Sequence, residues 1–439
     1  MIGCPVATDR SILMKKIITS LLCCVLVVSC VLCTTSCLPL SLLLDDYDEV
    51  EEEVNEIPDG ATVNVNGGDS YNVTIQGGAP STVMAANKAL LSAVSIVASF
   101  EGSNSGWGGF GGSSGSSTSQ ASGSGVIYKL DKNKGEAYVI TNHHVVYDAT
   151  YGISSGIKVY LYGHEGYGEC AMAATYVGGS LSYDIAILKI TGSTVLMESI
   201  AAPATFADSD KVAVLDTVIA IGNAQGSGIS ATVGYVNVES EYLSMLGADE
   251  KTEISLRVIR TDAAVNPGNS GGGLFNDKGE VIGIVNAKSA SDSVDNIGYA
   301  IPSNVAKSIA DNIIYYCDNT NKTCVYRCLL GITISSKEPT VHYDTETGKI
   351  YKTESVTVTE SVTVTEITGT AAKGVLKVGD VLKSITIDGN ENPITLRHHV
   401  VDSMLDARVG STVSIKLIRN GQEHTVTIHV TADMIEAYK

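Results

Sequence analysis

The sequence has little charge and, above all, few basic residues. Only 18% of its 439 residues are charged, and 48 acidic residues outnumber 29 basic ones to give a net charge of −19. Surfaces that bind nucleic acid are rich in lysine and arginine, so we expect no nucleic-acid partner. Eight of the carboxylates lie within residues 45–56, and a run of this kind is typical of a solvated spacer.

Proline and cysteine are also scarce where a fold would use them. Nine prolines against 44 glycines favour a turn-rich β protein over collagen or a disordered tail. Six of the ten cysteines precede residue 40, and the later four form no Cys-x-x-Cys pair with matching histidines. We therefore predict no structural zinc site, no other metal and no cofactor. An oxidising compartment would allow a disulfide between Cys317 and Cys324, and the sequence leaves this pairing undecided. The four later cysteines are Cys170, Cys317, Cys324 and Cys328.

The N-terminus lacks an apolar run of the about 20 residues that a spanning helix needs. Met14 and two lysines instead precede a shorter apolar segment at residues 17–28. A basic start followed by a short apolar core has the form of a signal peptide. Either Met1 or Met14 can therefore be the true start of the chain.

Residues 27–30, Val-Val-Ser-Cys, overlap the end of this segment and resemble a bacterial lipoprotein box with Cys30 as the lipid anchor. Cys37 is a weaker second candidate, and an uncleaved anchor helix or an ordinary secretory signal is the alternative. All these interpretations place the body of the protein outside the cytoplasm, and the first predicts attachment to the bacterial cell membrane. We accordingly assign residues 1–37 to a signal or lipoprotein region and residues 38–82 to an acidic, Gly-rich tether.

Residues 83–316 alternate short apolar runs with turn residues, which is the pattern of a β-sandwich or barrel. Residues 85–98 fit either helix or strand, and residues 305–316 have the spacing of an amphipathic helix. Ten or more strands followed by a helix predict two small β-barrels. The predicted strands are 125–130, 137–141, 158–162, 171–177, 185–190, 218–221, 228–239, 256–261, 281–286 and 298–301.

A polar stretch at residues 317–327 is predicted to link this domain to a smaller α/β unit at residues 328–439. Within that unit the sequence Ser-Val-Thr-Val-Thr-Glu occurs twice, at 355–360 and 361–366. Its alternation of Val and Thr predicts an extended strand or a hairpin, and we assign it no chemical role. One helix and two strands are predicted further on, at 398–407, 414–418 and 425–430.

Polar residues at strand ends carry the chemistry. The loop 266–273, Asn-Pro-Gly-Asn-Ser-Gly-Gly-Gly, sets Ser270 among glycines, which let backbone N–H groups converge beside a hydroxyl. His143 and His144 follow one apolar strand, and Asp184 precedes another. Each motif alone is also typical of an ordinary loop. Together they supply a nucleophile, a base and an orienting acid.

The segments around these residues resemble the HtrA/Deg family of trypsin-like serine proteases. The family has a variable residue before its catalytic histidine, so the resemblance selects His144 over His143. It implies a domain at residues 83–316 that is a chymotrypsin-like double β-barrel, and a serine endopeptidase with catalytic His144, Asp184 and Ser270. The matching segments are 141–146, 184–190, 222–223 with Gly234, 261–273 and 297–302.

The resemblance also implies how substrate is bound. Backbone N–H groups of Gly268 and Ser270, with Asn269 between them, form the oxyanion hole, and in this family that loop can flip into an inactive form. Ala264 stands six positions before Ser270, where relatives that cut after Lys or Arg carry an acid. A pocket without that charge favours small or medium aliphatic side chains at P1. The predicted pocket residues are Ala264, Val265, Asn286 and Ser289.

The unit that begins at residue 328 is similar to a PDZ domain, the module that this family carries. Leu330, Gly331 and Ile332 match the loop that receives a peptide C-terminus, whose carboxylate binds to backbone N–H groups. A plain β-turn in a small α/β unit is the alternative. We therefore predict a mainly β protein, with a small PDZ-like α/β domain after the double barrel.

The function that follows is that of an exported, membrane-anchored endopeptidase acting on unfolded, misfolded or regulatory envelope proteins. Peptide C-termini are the expected ligands of the PDZ domain, and the family resemblance implies a homotrimer. A second hypothesis, from a different class, is a peptide-binding or chaperone-like scaffold with a mostly inactive protease site.

Overall fold

The computed structural model of the protein describes residues 81–102, 117–287, 297–336, 340–346, 348–353 and 362–438. All of them belong to one contact unit of the chain, residues 62–439. The predictions for Cys30, Ser289, the signal region, almost all of the tether and the first copy of the repeat lie outside the described residues. Within the described part, no helix has both the length and the apolar character needed to cross a membrane.

The first part of the fold is a closed barrel of six antiparallel strands. Residues 85–98, which fit either helix or strand, contain both, because a helix ends at Leu90 and a strand begins at Ala93. The barrel has the strand order β1-β2-β3-β8-β7-β6. Its elements in chain order are α1 (Ser81–Leu90), β1 (Ala93–Gly102), β2 (Ser117–Asp131), β3 (Glu136–Thr141), α2 (His143–Val146), β4 (Tyr147–Asp148), β5 (Gly152–Ile153), β6 (Gly156–Leu161), β7 (Met172–Ser180), β8 (Ile185–Ile190) and α3 (Thr194–Glu198).

Residues 185–188 of strand β8 form an unbroken apolar run because both faces of the strand are buried there. Ala186 and Leu188 point into the core of the first barrel. Ile185 and Ile187 join a second buried cluster, whose members come from both barrels and the helix that follows them; we call it the shared cluster. A strand with one wet face would alternate polar and apolar residues, so this position explains the sequence.

The second part is another closed barrel of six strands, followed by a long helix. The strand order is β10-β11-β14-β13-β12-β9. The helix buries Val305, Ile309 and Ile313 at intervals of four residues in the shared cluster, and it ends where Asn321 adopts the left-handed conformation and donates its N–H to Cys317 O at 2.9 Å. The elements are β9 (Thr217–Gly222), β10 (Ser230–Leu246), β11 (Glu253–Thr261), β12 (Gly273–Phe275), β13 (Val281–Val285), β14 (Gly298–Pro302) and α4 (Ser303–Thr320).

The third part is a smaller α/β unit, which we call the PDZ-like unit. One sheet has the path β16-β19-β20-β22-β23 with β21 beside β20, and β15 pairs separately with β24. Strand β19 contains most of the second copy of the repeat, as the alternation of Val and Thr predicts. The elements are β15 (Val325–Cys328), β16 (Ile332–Ser335), β17 (Thr340–Tyr343), β18 (Ile350–Thr353), β19 (Thr363–Ile367), β20 (Val381–Ile387), β21 (Asn390–Pro393), α5 (Arg397–Ser403), β22 (Thr412–Arg419), β23 (Gln422–His429) and β24 (Ile435–Tyr438).

The predicted fold class is confirmed: a double β-barrel precedes a small α/β unit. The predicted linker at residues 317–327 is largely regular, since α4 runs to Thr320 and β15 begins at Val325. The four cysteines in the described part are all free, so the structure contains no disulfide between Cys317 and Cys324.

Buried polar contacts attach the PDZ-like unit to the barrels. Arg257 of β11, whose side chain is only 8% exposed, donates to Asp402 of α5 at 2.7 Å. Burial raises the pKa of Asp402 to about 6, although the facing guanidinium opposes the shift. Asn312 of α4 donates to the carbonyl oxygens of Tyr326 and Leu405, both at 2.7 Å. Because an unpaired buried charge or amide is costly, these contacts fix the unit against the second barrel and α4.

Candidate active site

The first barrel brings His144 and Asp184 together through two neighbouring strands. His144 lies on α2, directly after β3, and Asp184 directly precedes β8, which pairs with β3 so that Thr141 faces Ala186. The imidazole Nδ1–H of His144 donates to Asp184 Oδ2 at 2.6 Å, and the His144 backbone N–H donates to Asp184 Oδ1 at 2.9 Å. This pairing assigns the ring proton to Nδ1 and leaves Nε2 as the acceptor.

Asp184 is buried and its position is over-determined. Its residue is 3% exposed, and its φ of +50° lies in the left-handed region that non-glycine residues rarely adopt. Its carbonyl oxygen accepts from the His143 N–H at 3.1 Å and from Asn142 Nδ2 at 2.9 Å. Asn286 Nδ2 adds a third hydrogen bond to the carboxylate, at 2.9 Å from Oδ2.

The electrostatics of this carboxylate are set by opposing effects. Burial by itself raises the pKa of Asp184, but the charge of His144 and the hydrogen bonds from its ring and backbone outweigh burial and lower the pKa. Asp184 is therefore ionised at neutral pH. A fixed negative charge at this point orients the imidazole and stabilises imidazolium.

The two adjacent histidines have different environments. His143 is 6% exposed and stacks on Tyr147, with ring centroids 5.0 Å apart. Burial lowers the pKa of His143 to about 4, with the charge of Asp184 opposing the shift. A neutral, stacked imidazole of this kind is a core residue, whereas His144 lines the cleft described next.

Ser270 opens onto the same cleft as His144, which has a volume of about 360 Å³. Among the described residues, the hydrogen bond that the structure gives Ser270 Oγ comes from the Ala287 N–H at 3.2 Å, and Nε2 of His144 is not its partner. The cleft is lined by Ala121, Ser122, His144, Val145, Pro267, Gly268, Ser270 and Ala287.

Two backbone N–H groups beside this serine are available. Among the described residues, neither the Gly268 N–H nor the Ser270 N–H has a hydrogen-bond acceptor, which is what an oxyanion hole requires. The Asn269 N–H donates to Asn266 O at 2.9 Å, so Asn269 contributes its place in the turn and no donor. Gly268 has a φ of +99°, and an added Cβ would lie 2.3 Å from Asn223 O, so only glycine fits there.

Ser124 of β2 ties the loop in place, a role that no motif of the sequence indicates. Its N–H donates to Ser270 O at 2.8 Å, and its hydroxyl donates to Gly268 O at 2.7 Å. The same hydroxyl accepts from the Asn223 N–H at 2.7 Å. Ser124 stands in a Gly/Ser-rich stretch where one serine looks like the next, so only the strand arrangement singles it out.

The predicted substrate-pocket residues are dispersed. Ala264 is exposed, and Val265 packs against the core of the second barrel. Asn286 is 1% exposed and its side-chain amide donates to Asp184, and its assignment to the pocket stays a prediction. Ser289 lies outside the described residues. Ala264, Val265 and Asn286 do not line the cleft that His144 and Ser270 share.

The predicted peptide loop of the PDZ-like unit lies at the edge of its sheet. Gly331 has a φ of +69°, and its carbonyl oxygen accepts from the N–H groups of Thr368 and Gly369, both at 2.8 Å. Among the described residues, the N–H groups of Leu330 and Gly331 have no acceptor. Ile332 begins β16, which pairs only with β19 in the described sheet, so its other edge is open to a peptide strand.

One group of side chains in the described part has the composition of a metal site, but its chemistry does not suit an ion. Ligand atoms of Asp210, His398 and His399 lie within 4.8 Å of one another. Nδ1 of His399 accepts from the Leu396 N–H at 3.2 Å, which places the ring proton on Nε2, 3.6 Å from Asp210 Oδ2. That nitrogen then offers no lone pair to a metal. Arg257 also lies close enough to lower the pKa of His398, after the larger effect of burial.

Comparison with known proteins gives two family matches and several relatives. Residues 123–284 match the trypsin-like peptidase domain, and residues 328–430 match the PDZ domain. The chain is 35% identical to the serine protease Do-like HtrA of Bacillus subtilis over 311 residues, which are 70% of this chain and 63% of that protein. It is 32% identical to the protein of the same name from Lactococcus lactis subsp. cremoris over 318 residues, 71% of each chain.

Among solved structures, the chain is similar to that of the HtrA-type protease AlgW with a decapeptide. The two are 25% identical, and the match covers 80% of this chain and 98% of that chain with a TM-score of 0.46. This score is too low to support an argument about the site, which therefore depends on the geometry above.

Replacing Gly268 by alanine is expected to lower kcat/KM for peptide hydrolysis by about 10²–10³-fold, because an added Cβ displaces the N–H that faces the oxyanion. Gly279→Ala is the matched control, since Gly279 also has a positive φ, and its added Cβ would lie 2.6 Å from Ala85 O, away from the cleft. Both variants should lose thermal stability, and only Gly268→Ala should lose activity in a steady-state peptidase assay. Equal activity in the two variants would contradict the assignment.

Proposed function

The chain belongs to the Do-like HtrA family of serine proteases, and from this premise we propose that it is an exported, membrane-anchored endopeptidase of misfolded or regulatory proteins. The observation that carries the proposal is the 2.6 Å hydrogen bond between His144 and Asp184. His144 also lines one cleft with Ser270. Among the described residues the N–H groups of Gly268 and Ser270 have no acceptor, and they complete the set of groups that acyl transfer needs.

The mechanism begins with the rotation of Ser270 Oγ from the Ala287 N–H towards His144. Nε2 of His144 takes the hydroxyl proton as Oγ attacks the peptide carbonyl, and the carbonyl oxygen gains negative charge between the two N–H groups. Asp184 stabilises the imidazolium that forms. His144 then gives the proton to the leaving amine, and water releases the acyl group by the same steps. No cofactor takes part.

The loop at residues 266–273 has two tasks in this proposal. Among the described residues, Ser270 Oγ has no hydrogen bond to Nε2 of His144, which corresponds to a resting arrangement, since apo sites often have loose catalytic hydrogen bonds that tighten with substrate. The same observation favours the second candidate function, a peptide-binding scaffold with a mostly inactive protease site. The two candidates differ in whether Ser270 ever becomes nucleophilic.

Ser270→Ala is expected to abolish hydrolysis of an unfolded, casein-like protein without changing the fold, because it removes the attacking oxygen. The wild-type protein should also be labelled at Ser270 by a fluorophosphonate. Mass spectrometry of the products should place small or medium aliphatic residues, such as Val or Ala, before the cleaved bonds, since Ala264 stands at the position where relatives that cut after Lys or Arg carry an acid. Normal turnover by the variant would refute the endopeptidase. An absence of label, even with a PDZ-binding peptide present, would favour the scaffold.

In the PDZ-like unit we propose that Leu330, Gly331 and Ile332 bind the carboxylate of a peptide C-terminus, and that the peptide adds as a strand to the open edge of β16. Support comes from the N–H groups of Leu330 and Gly331 that lack acceptors among the described residues. A fluorescent peptide with a free, apolar C-terminus should bind at least about tenfold more tightly than its C-terminal amide, because the amide lacks the charge that these N–H groups recognise. Equal binding in an anisotropy titration would rule the site out.

The remaining proposals concern anchoring and assembly. We propose that Cys30 carries a lipid that attaches the protein to the bacterial cell membrane, and that the protein forms a homotrimer as its family resemblance implies. Cys30→Ser should move the protein from the membrane fraction to the medium or the soluble envelope fraction.

Sedimentation of the folded part should give three times the monomer mass. Unchanged fractionation, or a monomer at micromolar concentration, would contradict the respective proposal.

A further inference from the structure

The residue before the proposed catalytic acid is held by the PDZ-like unit. Tyr183 directly precedes Asp184, and its ring packs against the shared cluster on one side. On the other side lies the ring of Tyr438, the last residue of β24, with centroids 5.4 Å apart and planes at 52°. An aromatic contact therefore joins the turn that carries Asp184 to the last strand of the other unit.

Charged groups of the same unit surround this contact. The guanidinium of Arg327, on β15, lies 4.2 Å from the centroid of the Tyr438 ring, a distance typical of a cation–π interaction. Burial raises the pKa of the Tyr183 hydroxyl, Asp402 raises it further and Arg327 opposes the shift. Elements β15 and β24 of the PDZ-like unit thus meet at Tyr183, and Asp402 of α5 acts on its hydroxyl through its charge.

The backbone connects the two units at the same place. Strands β15 and β24 pair with Val325 opposite Tyr438 and Arg327 opposite Glu436. The Gly179 N–H of β7 donates to Thr323 O, just before β15, at 3.0 Å. The strand that leads into the Asp184 turn and the strand that supports Tyr438 are therefore tied to one another.

The turn itself needs such support. Asp184 has a φ of +50°, and a non-glycine residue keeps such a conformation only where its surroundings over-determine it. The hydrogen bonds within the turn are long, at 3.4 Å from the Asp184 N–H to Leu181 O and 3.3 Å from the Tyr183 N–H to Ser180 Oγ. The side-chain packing of Tyr183 adds a constraint on the N-terminal side of Asp184.

We propose that Tyr183 is a positioning residue for Asp184 and that the PDZ-like unit holds it in place through Tyr438 and Arg327. The inference rests on the proposed function, because it assigns a task to Tyr183 in the same triad. According to this inference, the PDZ-like unit affects Asp184, the acid of the triad, through its contact with Tyr183 of the first barrel. A displacement of the carboxylate by about 1 Å is enough to lower the rate about 10²-fold, so a partial loosening has a measurable effect.

Tyr438→Leu is expected to lower kcat for a quenched peptide substrate by about 5–50-fold with KM nearly unchanged, because the acid is displaced and the binding cleft is not. Tyr438→Phe keeps the ring and should restore activity to within about twofold of wild type. Tyr326→Ala is the matched control. Tyr326 lies on the same strand as Arg327, but its ring packs 4.4 Å from that of Tyr316 on α4, so this variant should lose stability and keep its kcat.

Hydrogen exchange gives a second readout that does not depend on hydrolysis. The His143 N–H donates to Asp184 O, so the amides of His143 and Asp184 should exchange about tenfold faster or more in Tyr438→Leu than in wild type or Tyr326→Ala. Tyr183→Leu, made alone and together with Tyr438→Leu, closes a double-variant cycle. The double variant should be no slower in catalysis than either single variant if the two rings act as one unit.

The outcomes separate this inference from the proposed function. A folded Tyr438→Leu protein with wild-type kcat and exchange would overturn the positioning role, as would an equal loss of kcat in Tyr326→Ala. Full activity of Ser270→Ala would instead overturn the endopeptidase, while the exchange comparison would still test whether Tyr438 holds the Asp184 turn.

Discussion

The buried carboxylate of Asp184 is the constraint on which the site depends. A charge that is 3% exposed is stable only where hydrogen bonds and an opposite charge replace the lost water. The first barrel supplies these partners through the ring and backbone of His144, and the second barrel supplies one through Asn286. The acid therefore links the two barrels as well as orienting the proposed base.

The second barrel then determines the state of the nucleophile. Three consecutive residues of the second barrel contact the site. Val285 pairs with Gly271 and Gly272 of the serine loop. Asn286 donates to Asp184, and the Ala287 N–H donates to Ser270 Oγ. The triad is consequently half assembled. Base and acid are joined by a short hydrogen bond, whereas the described residues give Ser270 Oγ no hydrogen bond to Nε2 of His144. A proteolytic site of this kind can remain inactive without unfolding any element.

The PDZ-like unit is more than an appended binding module. Its attachment uses a buried ion pair, a buried amide and an aromatic contact, all on residues of β11, α4 or the Asp184 turn. Interfaces with buried charged groups are costly to open, so the unit and the barrels are mechanically connected. This connection extends to Tyr183, the residue next to the proposed acid. We therefore infer that the position of the Tyr183 ring affects catalysis.

The sequence by itself determined the two barrels, the α/β unit and the three residues of the proposed triad. Periodic apolar runs, turn residues and the loop around Ser270 are local signals. The apolar run at residues 185–188 likewise indicates that both faces of β8 are buried. Only the tertiary structure decided that the Asn286 amide donates to the acid, that Ser124 ties down the serine loop, and that Ser270 Oγ accepts from the Ala287 N–H. It alone brought Tyr438 to Tyr183, and it made most of the supposed linker regular. These contacts join residues more than 15 positions apart, and in one case 255 positions apart, so no local pattern records them.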